Sequence, residues 1–150
     1  MEKLCLSYRN IRGYRYQVMD KFSIDVSGFF GSERLCISGF AYLENGSLRV
    51  SKGYAWDGPS GPVIHTKNWL KPSLVHDVFY QLIRNGFFPD PEKARAKADD
   101  LMLSMLRAEG MSRFRSWYSW KAVRIFGKKA VRASERRDVL RVCSPWGVRP

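Results

Sequence analysis

The sequence predicts an α+β fold: an antiparallel sheet over about residues 3–56, then three to four helices. Three observations carry this. The first third is rich in β-branched and aromatic residues in partial alternation. Residues 57–72 form a Gly/Pro-rich break holding Gly58, Pro59, Gly61, Pro62 and Pro72. Beyond it, apolar residues recur at helical spacing between well-placed caps. Length favours one domain over residues 1–150, mainly β to 56, loop over 57–71 and mainly α over 72–142.

The strand candidates are KLCLSYR, YRYQVM, KFSIDVSGFF, ERLCISGFAYL and SLRVSKGYAW. Asn45-Gly46 is a hairpin signal, because a two-residue turn of that type needs positive φ at both positions. Gly31-Ser32 predicts another reversal. Short connections imply antiparallel neighbours.

The first helix is predicted from about Pro72 to Asn85. Pro72 suits a first turn that has no use for its missing N–H, and Gly86 suits the C-terminal cap. The second starts at the cap-like Asp90 and Pro91 and ends before Gly110. The third runs from near Ser112 to about Phe126 and is stopped by Gly127. KAVRASERRDVLRV is the candidate fourth, and CSPWGVRP reads as a tail.

With 45% hydrophobic and 14% aromatic residues the chain can build a core, which excludes global disorder. No run is long enough to span a bilayer, and the N-terminus lacks the basic-then-apolar pattern of a signal peptide. A cytoplasmic location is expected. Three scattered cysteines without a C-x-x-C pair exclude a zinc ribbon; Cys5 and Cys36 are expected in the core. The net charge of +12 is concentrated late: from Arg107 on there are twelve Lys or Arg and three acids. Such a surface favours anionic partners, and Arg113, Arg115, Lys121, Arg124, Lys128 and Lys129 are its candidate contacts. The aromatics among them, Phe114, Trp117, Tyr118 and Trp120, fit interfacial binding, although at least half are expected to pack against the sheet.

On a helical wheel Val75, Val78, Phe79, Leu82 and Ile83 share one face of the first helix. His76 lies at its margin with Tyr80 one turn on, and Asp77 points further round. A half-buried imidazole there has a pKa tunable near neutrality. On the second helix Ala94, Ala98, Leu101, Met102 and Met105 form the core face, with Asp99 at the margin and Asp100 turned to solvent. Antiparallel packing would bring Asp99 to His76, fixing its tautomer and leaving the other ring nitrogen free to take a proton from water. In the loop, Asp57 with the Gly58 carbonyl, and Asp77 from the helix, suit a hard divalent cation, Ca²⁺ or Mg²⁺. Zinc through His76, Asp77 and His65 fits less well. Ser60 and Trp56 are candidates for substrate contact. No G-x-S-x-G elbow surrounds Ser60, so it is also readable as a turn residue, and Asp57 as a turn cap.

GYAWDGPSGP, VHDVFY and KADDLM resemble, in order, the pattern of a phage and prophage family, domain of unknown function 1353. WYSWKAVRIFG resembles that family's Tyr-x-x-Val-Arg-x-x-Gly close. The likeness spans roughly residues 50–130, with an extra Gly between Ser60 and Pro62. It implies a phage origin, in the host cytoplasm or the particle, and no settled activity. A remoter likeness is to the small phospholipases A2 of bacteria and fungi, where an Asp-Gly-x-Ser loop also precedes His-Asp-x-x-Tyr. It implies His76 as base, Asp99 as its orienting carboxylate, Tyr80 bracing Asp99, and Asp57, Gly58 and Asp77 around Ca²⁺. Those secreted enzymes carry disulfides and export signals, neither of which is expected for this chain.

Two functions are expected from this. One is a metal-dependent hydrolase acting on a phospholipid or another envelope ester or amide. The other is a non-enzymatic phage accessory protein, virion- or tail-associated or host-inhibiting, in which the same residues form a structural polar network. A nucleic-acid binder ranks below both, for want of a reading motif.

Overall fold

A computed structural model describes residues 5–31, 34–37, 40–58, 64 and 66–131. The chain divides into two compact units, residues 1–55 with 135–150 and residues 56–134. The α+β class is as the sequence predicts: antiparallel strands first, helices after.

The first unit holds the strands β1 (Tyr8–Asn10), β2 (Tyr16–Val18), β3 (Phe22–Asp25), β4 (Arg34–Ile37), β5 (Ala41–Glu44) and β6 (Ser47–Val50). A short β7 (Ala55–Trp56) follows them. They form two sheets, ordered β1-β2-β7 and β3-β6-β5-β4. In the second sheet each pair is antiparallel, with Phe22 opposite Val50 and Leu43 opposite Leu48. Val18, Phe22, Leu43, Leu48 and Val50 are buried, each on the inward side of its pleat.

Asn45 and Gly46 take φ of 49° and 74°, the two left-handed positions that the Asn-Gly signal calls for. Gly46 is further fixed by proximity, since a Cβ there would lie 2.4 Å from the Cβ of Ser27. Two predicted strands are each two. ERLCISGFAYL folds into the β4–β5 hairpin, and SLRVSKGYAW breaks between β6 and β7, where Gly53 has φ of 99°. Of the Gly31-Ser32 reversal, Gly31 lies in a bend and Ser32 lies outside the described residues. Cys5 is exposed, not in the core as expected, because it precedes β1, whose residues are themselves exposed. Cys36 is described through its backbone in β4, and Cys143 lies outside the described residues.

The second unit holds α1 (Leu70–Arg84), α2 (Pro91–Ala108) and α3 (Arg113–Phe126), with 3₁₀ turns at Lys67–Trp69 and Gly127–Lys129. α1 begins two residues ahead of Pro72, which still sits within the first turn, where its missing N–H costs nothing. Gly86 and Gly110 follow α1 and α2 at φ of 77° and 86°. Asp90 caps α2 by accepting from the Lys93 N–H, and Ser112 caps α3 through the Arg115 N–H. Gly127 has φ of −75°, so it ends α3 without the left-handed cap conformation. Of the fourth predicted helix, Lys129 ends the 3₁₀ turn and Ala130 and Val131 lie in a turn, while the rest lies outside the described residues.

α2 packs against both α1 and α3. Lys71 meets Glu109 at 2.8 Å and His76 meets Asp99, a register that makes α1 and α2 antiparallel. Trp69, Met102, Leu106, Met111 and Val123 form one buried cluster among the three helices and their connections. Each such side chain contributes roughly 1.5–3 kcal/mol by leaving water. No helix among the described residues is long and apolar enough to cross a membrane.

Candidate functional site

The antiparallel pairing of α1 with α2 sets the site. His76 and Asp99 stand equally far from the turn that joins the helices, so they face each other. The His76 Nε2 lies 2.7 Å from the Asp99 Oδ1, and the Tyr80 hydroxyl donates to the same oxygen at 2.6 Å. His76 and Tyr80, one turn apart, also bring their rings to 3.9 Å. Asp99 is fully buried, further in than the helix margin. A carboxylate accepts, so the Nε2 carries a proton, and in the neutral ring the Nδ1 keeps its lone pair.

The other Asp99 oxygen is met by two guanidinium groups. Arg124 of α3 donates to Oδ2 at 2.9 Å, and the buried Arg95 of α2 does so at 3.3 Å. Arg95 also donates to the main-chain carbonyl of Arg124. Four side chains from three helices thus converge on one carboxylate. Burial alone would raise the Asp99 pKa, but His76, Tyr80 and Arg124 outweigh it and hold it below the ordinary value.

For His76 burial disfavours the imidazolium, yet Asp77 and Asp99 together raise its pKa above the ordinary value. Asp77 stands with Oδ1 3.9 Å from the Nδ1, an ion-pair neighbour too distant for a direct hydrogen bond. Its own pKa is raised, first by burial and further by the like charge of Asp57. Tyr80 is pushed well up, by burial and then by the Asp99 charge beside it.

The loop residues are placed as follows. Trp56 is buried, and its indole N–H donates at 3.1 Å to the Ser73 hydroxyl on α1, so it anchors the loop start and is not open to a ligand. Asp57 is exposed, within electrostatic reach of Asp77. Gly58 is buried with φ of 78°. Ser60 and His65 lie outside the described residues. Among the described residues, no three His, Cys, Asp or Glu side chains converge as a metal cluster. A cation at Asp57 and Asp77 would therefore need main-chain carbonyls and water to complete an oxygen set.

Of the basic candidates, Arg124 turns in to Asp99, and Arg115 donates to the Ile64 carbonyl and the Thr66 hydroxyl. Arg113, Lys121, Lys128 and Lys129 are exposed. Asp100, expected as a solvated charge, accepts the Trp120 indole N–H at 2.9 Å. Arg95 was absent from the expected site, although an Arg four residues before an Asp on one helix was a legible pairing. For Arg124 the available signal was the Val-Arg-x-x-Gly close.

No curated protein and no solved structure matches the chain. One family pattern does, over residues 38–123, from just before β5 through α1 and α2 and into α3. The chain belongs to the family described as "Protein of unknown function (DUF1353)".

Proposed function

We propose that the protein is a phage-encoded hydrolase, acting through a His76–Asp99 dyad on a phospholipid or another envelope ester or amide. The observation that supports this best is the state of the imidazole. Its Nε2 is tied to a buried carboxylate, so the Nδ1 is left as the base on the side where Asp77 stands. In this reading the Nδ1 takes a proton from water as the oxygen adds to the substrate carbonyl. The tetrahedral intermediate then expels the alcohol or amine, which leaves with the proton from His76. Asp99 orients the ring, Tyr80 braces Asp99, and Arg95 and Arg124 keep Asp99 ionised. Asp57, Asp77 and the Gly58 carbonyl would hold Ca²⁺ or Mg²⁺, which when bound polarises the carbonyl and stabilises the oxyanion. The likeness to small phospholipases A2 supports the roles residue by residue.

The test is turnover of short-chain phospholipid and simple ester substrates with Ca²⁺, with Mg²⁺ and with chelator. The reading expects metal-dependent turnover that is lost in both Asp57→Asn and His76→Asn. Full turnover in either variant removes that residue from the mechanism.

A second reading is favoured by the saturation of Asp99, whose two oxygens meet four side chains in a fully buried setting. In it the chain is a phage accessory protein and the network specifies helix packing. Absence of turnover on every substrate, together with a large stability loss in His76→Ala, supports it.

A further inference from the structure

α3 carries most of its large apolar side chains on the wrong side for a core. The buried residues of α3 are the small Ser116, Ser119, Ala122 and Val123. The outward stripe, at helical spacing, is Phe114, Trp117, Tyr118 and Ile125, with Lys121 in its middle. Phe114 is 76% exposed and Ile125 59%. Single exposed apolar residues are ordinary, but a contiguous stripe along a whole helix marks an interaction surface.

Charge narrows the partner. Residues 113–129 hold six Lys or Arg and no acid. Arg115 and Arg124 are engaged inward, which leaves Arg113, Lys121, Lys128 and Lys129 exposed around the stripe. A second copy of this face would bring like charges together. Single-stranded nucleic acid uses stacking rings in a basic groove, whereas this face is a convex helix with Ile125 in its line. Trp and Tyr among basic residues, with Phe and Ile to enter the acyl boundary, match an anionic lipid surface. There a helix lies flat and its lysine stems reach up to the headgroups.

We infer that the outer face of α3, with Phe114, Trp117 and Ile125 as anchors and Arg113, Lys121, Lys128 and Lys129 as headgroup contacts, docks on an anionic membrane surface. The docking stands whether or not His76 turns over a substrate.

The full chain is sedimented with vesicles of phosphatidylcholine alone and of phosphatidylcholine with about a quarter phosphatidylglycerol. Binding is expected to the anionic vesicles and to weaken with added salt. Phe114→Ser with Trp117→Ser, and separately Lys121→Glu with Lys128→Glu, should each weaken it by about tenfold or more. Because all four side chains are exposed, the melting curves should match the wild type, confirming that the variants are folded. No binding to anionic vesicles overturns the inference, as does binding that neither pair alters. Salt-sensitive binding to single-stranded DNA without vesicle binding also overturns it and gives the face to nucleic acid.

Discussion

The Arg124 guanidinium lies 2.9 Å from the Oδ2 of Asp99, tying the last turn of α3 to a carboxylate with no solvent exposure. Removing the anion strands Arg95 and Arg124 against each other, whereas removing Arg124 leaves Arg95 in place. Asp99→Ala should therefore lower stability by about 3–5 kcal/mol, and Arg124→Met by about 1.5–3 kcal/mol. Urea unfolding of both variants and of the double variant checks this. If Asp99→Ala costs no more than a surface change, the network does not hold the helices.

Gly127 sits against Tyr80, and a Cβ there would fall 2.7 Å from the Tyr80 hydroxyl oxygen. Gly127→Ala should cost about 1–3 kcal/mol through overpacking, although its φ suits any residue. Tyr80→Phe removes the obstructing oxygen, so the pair should be more stable than the two single losses predict. Strict additivity in the double-mutant cycle would contradict the close approach.

The network has a signed pH dependence. His76 has a raised folded pKa, so its contribution is complete below the unfolded value of about 6.5 and is lost as pH rises through the folded one. Asp99 has a lowered folded pKa; its contribution is present above about 3.9 and is lost as pH falls through the folded value. The pair should stabilise most between about pH 4 and 6.5. Asp77 shifts in the same sense as His76, so the urea midpoint is followed in Asp77→Asn with and without His76→Gln. A decline above neutrality that persists unchanged in His76→Gln would assign it to another group.

Asp77 is a partly buried carboxylate beside another negative charge, and its ionised form is disfavoured by the fold. In chelator, Asp77→Asn should raise Tm by about 2–4 °C. With millimolar Ca²⁺ the wild type should gain stability and the variant should not. Equal response of both proteins to Ca²⁺ would separate Asp77 from any cation.

Features with local causes were legible in the sequence. Asn45-Gly46 demands its own turn, Asp90-Pro91 starts α2 by capping, and the wheel puts His76 and Asp99 on facing margins once the helices are antiparallel. Most of what escaped depends on contacts distant in sequence. ERLCISGFAYL looks continuous because both arms of its hairpin are apolar. Gly127 ends α3 as its position suggests, but that it also makes room for Tyr80 depends on a partner 47 residues away. Arg124 looks like one more surface cation, because the Val-Arg-x-x-Gly close marks its place without revealing the anion on α2. At least half of the α3 aromatics are expected against the sheet, yet Phe114, Trp117 and Tyr118 are exposed.

The order in which the helices leave the ribosome gives the Arg124 clamp a further meaning. A nascent chain cut after Met111 would contain both halves of the His76–Asp99 pair and Arg95, but not Arg124 or the carbonyl that seats Arg95. Its two helices could meet only by sinking a half-compensated anion, so they should stay loose until α3 arrives. Assembly of the site is thus coupled to completion of the bundle, and a prematurely ended chain should be open to proteases.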